Sequence, residues 1–168
     1  MHGWFRLPPT RWSARERILR RVEVLGGRAV DIEITHEGGA LQIRGARDSR
    51  ELRKKIGRMF QLGLDLSEFH ARARQSPAHE WVAGAGFGRL LCGSTLFEDV
   101  VKIITTTNTM WRQTIRMNEM LVEKCGLATR SGSHAFPLAE DVAKFSEEEL
   151  KEQCRLGYRA KSVALLAR

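Results

Sequence analysis

The sequence predicts an α+β fold: a small antiparallel sheet with a covering helix, followed by a train of helices. Three observations carry that expectation. Between Ile18 and Gly45 apolar residues recur at every second position, and the run is broken by Gly26-Gly27 and Gly38-Gly39. Between Ser94 and Gly126 the apolar period becomes that of a helix, with one polar interruption at Thr105-Thr106-Thr107-Asn108-Thr109. The cluster Gly84-Ala85-Gly86-Phe87-Gly88 lies between the two regimes. Two subdomains are therefore expected, residues 1–75 with the sheet and its helix, and residues 76–168 with the later helices.

Residues 1–13 place Trp4, Phe5, Leu7 and Trp12 around Pro8-Pro9. Paired prolines forbid a helix interior, so an edge strand or an arm packed on the sheet is expected. Val22 and Val24, then Val30, Ile32 and Ile34, then Leu41 and Ile43 alternate with polar residues. The two Gly-Gly pairs sit where hairpin turns require positive φ. Three strands with one apolar face follow, and a helix must cover that face because so small a sheet cannot stand alone. Asp48-Ser49 is the cap signal for that helix, and Leu52, Ile56, Met59 and Phe60 form its stripe. Arg50, Arg53, Lys54, Lys55 and Arg58 fall largely on the other side, as a solvated face or as phosphate contacts. A short helix from Ser67 to about Ala73 and a further turn after Ser76-Pro77 precede the glycine cluster.

Thr95 and Glu98 have the spacing of a capping box. Leu96, Val100 and Ile103, with Phe97, Val101 and Ile104, predict a helix with a broad apolar face, buried on most sides. Thr105 to Thr109 ends it, since β-branched and Asx residues favour caps over helix interiors. A second helix then carries Met110, Met117 and Leu121 on one stripe, with Trp111, Ile115 and Val122 beside it, up to Gly126 as a C′ residue. Pro137 fits the first turn of a helix bearing Leu138, Val142 and Phe145. Ser146 with Glu149 forms another capping box, Gly157 ends that short helix, and a last helix runs from Tyr158.

The chain of 168 residues carries a formal net charge of +8, and its pI is near 10.0. Residues 1–75 hold 16 Lys/Arg against 9 Asp/Glu, so nearly all the excess lies there. Such a balance calls for a polyanionic partner, nucleic acid before membranes or acidic proteins. Cys92, Cys125 and Cys154 are few, odd in number and widely spaced, which argues against a disulfide framework, zinc or an iron–sulfur cluster. The start lacks an apolar signal region and no run suits a membrane span, so a cytoplasmic (bacterial nucleoid) or nuclear protein that is not secreted is expected. The Gly84–Gly88 cluster lacks the strand-to-helix context and the Gly-Lys-Ser/Thr ending of a phosphate loop. The five histidines are scattered and without short-range partners, so no catalytic triad is legible.

Two segments carry a family likeness. LFEDVVKIITTTNTMWRQTIRM resembles the start of the second domain of the helix-hairpin-helix DNA glycosylases, the alkylbase (3-methyladenine) and 8-oxoguanine enzymes. AFPLAEDVAKFSEEELKEQCRLGYRAKSVALLAR resembles the same family, down to the Leu-Gly-Tyr-Arg-Ala turn that opens its last helix. Order and spacing are kept over about half the chain. The resemblance implies the sheet subdomain and first helices of a base-excision enzyme that hydrolyses the N-glycosidic bond of a flipped, damaged base without a cofactor or metal. It implies double-stranded DNA carrying a damaged base as partner. The Leu-Pro-Gly-Val-Gly-like hairpin turn of the family, its Asp and the Lys of bifunctional members have no counterpart here, so no catalytic residue is assigned. An expected reading is a front portion cut before that hairpin and inactive alone.

Carried over by position, the turn at Thr107 and Asn108 would enter the duplex from the minor-groove side. Arg112 and Arg159 would hydrogen-bond the orphaned base, and Tyr158 would wedge into the stack. The oxoguanine-type members carry an Asn run in this turn, whereas threonines surround the single Asn108. Plainer readings stand beside these: Thr107 or Asn108 as an N-cap, Tyr158 as a core aromatic, Trp111 as core. Apolar surface left open at Val163 and Leu166 would favour self-association. The rival function is a non-catalytic module that binds nucleic acid or protein.

Overall fold

The computed structural model describes residues 3–168. Met1 and His2, which the sequence reading included in its N-terminal arm, lie outside the described residues. The chain begins with a 3-10 turn, Gly3–Arg6, followed by β1 (Arg11–Ser13), β2 (Ile18–Leu25), β3 (Arg28–Glu37) and β4 (Ala40–Arg44). The helices are α1 (Arg50–Met59), α2 (Ser67–Arg74), α3 (Glu80–Gly84), α4 (Leu96–Thr106), α5 (Trp111–Cys125), α6 (Ala139–Val142), α7 (Glu147–Gln153) and α8 (Arg159–Ala167). The α+β expectation holds, with one more strand than the periodicity resolved.

The sheet is antiparallel in the order β1-β2-β3-β4. Gly26-Gly27 and Gly38-Gly39 turn the two long hairpins, each with a pair of left-handed residues, φ +54 and +74 in the first and +58 and +80 in the second. Mirror-image turns of this kind match the twist of the strands they join. β1 follows Pro8-Pro9 and pairs with β2 through Arg11↔Arg20, Trp12↔Leu19 and Ser13↔Ile18. Three residues are too few for alternation to show in a sequence.

The expected single apolar face is corrected by the register. Leu19 faces Ile34 and Arg21 faces Ile32 across β2–β3. Leu19, Ile32 and Ile34 thus share the face that Leu52, Ile56 and Met59 of α1 cover. Val22 and Val24 point the other way and pack with Ala135, Leu127 and Leu138 from the helical half. Both faces of β2 are therefore covered, and the charges that alternate with its valines are forced inside. Arg21 and Glu23 are 3% and 2% exposed.

These charges meet a second surprise on α4. Thr95 Oγ1 accepts from the Glu98 amide (3.1 Å), as a cap should. The Glu98 side chain does not return to the Thr95 amide, so the reciprocal capping box is absent. Its carboxylate accepts instead from the Ser94 amide (2.9 Å), from both terminal nitrogens of Arg21 (3.1 and 2.7 Å) and from Lys102 Nζ (2.5 Å). Arg21 also donates to Thr10 Oγ1 (3.2 Å) and Ser94 Oγ (3.1 Å), and its Nε donates to Glu23. Lys55 of α1 completes the cluster, donating to Glu23 (3.2 Å) and to the Val24 carbonyl (2.6 Å). The helix expected to bury a broad apolar face instead buries Glu98, Lys102 and Thr105 with Val101, and exposes Leu96 (69%) and Ile103 (56%).

Arg58 adds a second tie between α1 and α4 through Asp99 (2.7 Å) and the Gly93 carbonyl (2.5 Å). Lys55 and Arg58, read from sequence as part of a free basic face, are committed inside the molecule. The helical core gathers Val101, Met117, Leu121, Phe136, Leu150, Leu156 and Val163 from α4, α5, α7, α8 and the connecting segments. Val163 is fully buried there, so its predicted exposure is corrected, while Leu165 (65%) and Leu166 (39%) are exposed.

Smaller boundaries differ for local reasons. α5 ends at Cys125 and Gly126 is extended, φ −79 and ψ 149, rather than a left-handed C′ residue. Glycine is needed there because an added Cβ would lie 2.0 Å from the Ala135 carbonyl oxygen. Pro137 precedes the N-cap Leu138 of α6 rather than entering its first turn. Ser146 and Glu149 do form the reciprocal capping box (3.2 and 2.8 Å). α7 stops at Cys154, ahead of Gly157, and Arg155 takes the first left-handed position at φ 56.

The ion cluster predicts a specific instability. Removing one partner leaves a buried charge unmatched, so Glu98→Gln should cost about 3–5 kcal/mol in urea unfolding. Burial alone pushes the Glu98 carboxyl up, but Arg21 and Lys102 outweigh it and hold it well below the usual carboxylate range. A carboxyl depressed in the folded state stabilises above its unfolded pKa, and that stabilisation fades as pH falls through the folded value. Unfolding free energy should therefore drop below about pH 4.3 in the parent and fall less steeply in Glu98→Gln.

Candidate nucleic-acid interface

The turn between α4 and α5 is built by threonine hydroxyls. Thr105, Thr106 and Thr107 each donate Oγ1 to the carbonyl three residues back, on Lys102 (2.8 Å), Ile103 (2.7 Å) and Ile104 (2.7 Å). These bonds add hydroxyl donors to the carbonyls of the last turn, where the helix is ending. Thr107 is extended at φ −68 and ψ 130, and Asn108 is left-handed at φ +42. Asn is among the few non-glycine residues that tolerate this conformation. The N-cap of α5 is Met110, without a side-chain cap. The alternative reading of Thr107 or Asn108 as that N-cap is thereby replaced: one caps α4, the other reverses the chain.

Below the turn a buried polar lock sets the angle between α4 and α5. Asn118 Nδ2 donates to Thr105 Oγ1 and to the Thr114 carbonyl (both 2.8 Å). Thr114 Oγ1 donates to the Thr105 carbonyl (3.1 Å). Asn118 Oδ1 is buried without a hydrogen-bonding partner. Sequence reading missed this lock; buried polar residues at helical spacing on two adjacent helices were its available signal.

α8 supplies the other half. Its first residue, Arg159, is 8% exposed, and its Nη2 donates to the Thr107 carbonyl and to the Asn108 carbonyl (3.2 Å). Its Nε is buried without a partner. Tyr158 is 66% exposed, which sets aside the core-aromatic reading, and the Arg159 guanidinium lies 4.5 Å from its ring centroid. Thr107, Asn108, Tyr158 and Arg159 are thus brought together although the two pairs lie about fifty residues apart in the chain (separation 51 between Asn108 and Arg159). Arg112 stands exposed on the first turn of α5, with no side-chain partner among the described residues. Trp111 is half-buried, its ring lying 2.5 Å from where a Cβ on Gly3 would sit.

The arrangement leaves the Tyr158 ring and the Arg112 side chain exposed beside an exposed turn. Arg159 serves that turn as an internal brace, its donors pointing at the turn's backbone. Among the described residues no cluster of three or more His, Cys, Asp or Glu could hold a metal, and no helix is long and apolar enough to cross a membrane.

No protein-family model and no curated protein matches the sequence. Solved structures do match. One is the 3-methyladenine DNA glycosylase of Archaeoglobus fulgidus, at 22% identity and TM-score 0.78, over 99% of this chain and 60% of that one. The 8-oxoguanine glycosylase/lyase of Clostridium acetobutylicum matches in its apo form at 20% identity and TM-score 0.66, over 92% and 53% of the two chains. The same enzyme with double-stranded DNA containing cytosine opposite 8-oxoguanine matches at 19% identity and TM-score 0.68, over 96% and 55%. The chain thus spans between half and three fifths of the length of these structures. At these identities the likeness is one of fold: the sheet and helices take the layout of the corresponding part of the DNA glycosylases.

Two variants test how the turn is held. Asn108→Gly should leave stability unchanged, whereas Asn108→Val should cost about 1–2 kcal/mol because a β-branched residue resists positive φ. Arg159→Met should lower the melting temperature further than Arg112→Met, since only the first removes the donor to the Thr107 and Asn108 carbonyls.

Proposed function

We propose that this chain is a DNA-recognition unit of base excision repair, engaging duplex DNA at a damaged, alkylated or oxidised base. The observation that carries the reading is the braced Thr107-Asn108 turn standing beside exposed Tyr158 and Arg112. A lesion enzyme must extrude the damaged nucleotide and then occupy the gap and hold the widowed partner base. Tyr158, stiff and flat, suits the wedge. Arg112 carries free donors suited to the acceptor edge of an orphaned base. Thr107 and Asn108 would bring backbone and amide groups to the groove, with Arg159 keeping the turn in shape; its own contact to the base would need its guanidinium to leave the turn's carbonyls.

The net charge of +8 supports binding to the duplex flanks. The glycosylase layout supports the repair context. The chemistry of bond cleavage is not assigned to residues of this chain, because no Leu-Pro-Gly-Val-Gly-like turn followed by a catalytic Asp occurs in its sequence. A module that binds any duplex by charge alone draws on the same basic surface, and lesion preference separates the two.

Fluorescence anisotropy with a duplex carrying a tetrahydrofuran abasic site, against the intact duplex, decides between them. The expected result is preference for the abasic duplex by at least about tenfold, or about 1.4 kcal/mol. Tyr158→Ala and Arg112→Ala should each erase most of that preference while keeping affinity for intact DNA and its salt dependence. Equal binding to both duplexes would refute the reading. Excision of a damaged base by this chain alone would refute the assignment of recognition without cleavage.

A further inference from the structure

A second surface lies at the sheet, with neither Thr107 nor Asn108 in its lining. A cavity of about 450 Å3 opens on the α1 face, between the sheet and the segment around Arg89 to Leu91. Leu19 and Ile34 form its floor, and Trp12 and Leu90 stand at its walls. Those wall residues are 43% and 60% exposed, so this is an open groove rather than a closed pocket. Three cationic or titratable side chains line it, Arg17, His36 and Arg89, and no carboxylate does. Arg17 and His36 have no side-chain partners among the described residues. Arg89 is held in place by the Gln61 and Leu64 carbonyls (2.5 and 2.7 Å).

The groove also runs beside an open strand edge. Leu41 lines it, and Leu41 belongs to β4, the outer strand of the sheet. β4 pairs with β3 on one side, through His36↔Leu41 and Ile34↔Ile43. Its other edge has no strand partner among the described residues, leaving backbone donors and acceptors free to template another chain.

We infer that this groove docks an extended acidic peptide of a partner protein, whose apolar side chains fill the cavity while its carboxylates meet Arg17, His36 and Arg89. An added strand on β4 would send alternate side chains to the groove face, giving affinity through main-chain hydrogen bonds and selectivity through the cavity. The absence of any acid in the lining sets the sign of the partner's charge, and the aliphatic floor disfavours an unpaired nucleobase, whose polar edge would find few partners there. The groove lining contains none of the residues of the proposed DNA contact.

The test uses a short fluorescein-labelled peptide in which Leu and Phe alternate with Asp and Glu, and an analogue with Lys at every acidic position. Saturable micromolar binding of the acidic peptide alone is expected. Leu90→Asp and Arg17→Glu, both at exposed positions, should each weaken it at least fivefold with the fold intact by circular dichroism. Equal binding of the Lys analogue, no saturable binding, or unaltered binding by both variants would overturn the proposal. So would displacement of the peptide by a single-stranded oligonucleotide, which would mark a nucleic-acid site. Binding of anilinonaphthalene sulfonate that Leu90→Asp abolishes, without peptide binding, would mark a small-molecule pocket and equally overturn it. Loss of lesion preference has no bearing on any of these outcomes.

Discussion

Arg21 and Glu98 meet out of water across a separation of 77 residues, one on β2, an inner strand of the sheet, and the other in the first turn of α4. Two buried charges are expensive to desolvate, and their attraction compensates only when the remaining hydrogen-bonding capacity is also filled. Here it is filled: Thr10, Ser94 and Glu23 take up the guanidinium, and Lys102 and the Ser94 amide take up the carboxylate. Burial works against the charge on Lys102, and Glu98 beside it opposes that effect. The geometry that satisfies all these groups leaves little latitude in how the sheet meets the helices. A merely apolar contact, being non-directional, would specify that meeting less sharply.

From that junction the rest follows by packing. α4 is set by its first turn on the sheet; α5 is set on α4 by the Asn118–Thr105–Thr114 lock. α8 packs on the same core through Ala160 and Val163 and delivers Arg159 beneath the turn. The turn proposed to meet DNA is therefore held from below by the buried Asn118–Thr105–Thr114 bonds and by Arg159, while Thr107 and Asn108 stay exposed. Preorganisation of this kind matters for recognition, because a loop that must be ordered on binding spends interaction energy on its own entropy.

Local signals were legible where they depend on neighbours in the chain. Gly26-Gly27 and Gly38-Gly39 fell at the hairpin turns, Ser49 and Ser146 at helix starts, and the threonine run at a helix end, as the chemistry of each residue requires. Arg159 is instructive in the other direction. Its position beside the turn was anticipated through resemblance, but its burial and its bonds to the Thr107 and Asn108 carbonyls were not, because they depend on where α8 lands. Trp12 and Leu90, at the groove, lie in stretches with no period of their own.

The sequence by itself determined the alternation, the turns, the caps and the sign of the charge, since all are set by residues within a few positions of one another. Tertiary structure alone decided which alternating residues go inside. Alternation says that Arg21 and Val22 face opposite ways; it cannot say that both sides of β2 will be covered. Once α1 takes one face and Ala135 with Leu138 the other, Arg21 must be buried and must find Glu98. The same logic turned Leu96 and Ile103 outward on α4. A helix rotates to satisfy its costliest groups, and an unmatched buried charge costs more than an exposed leucine.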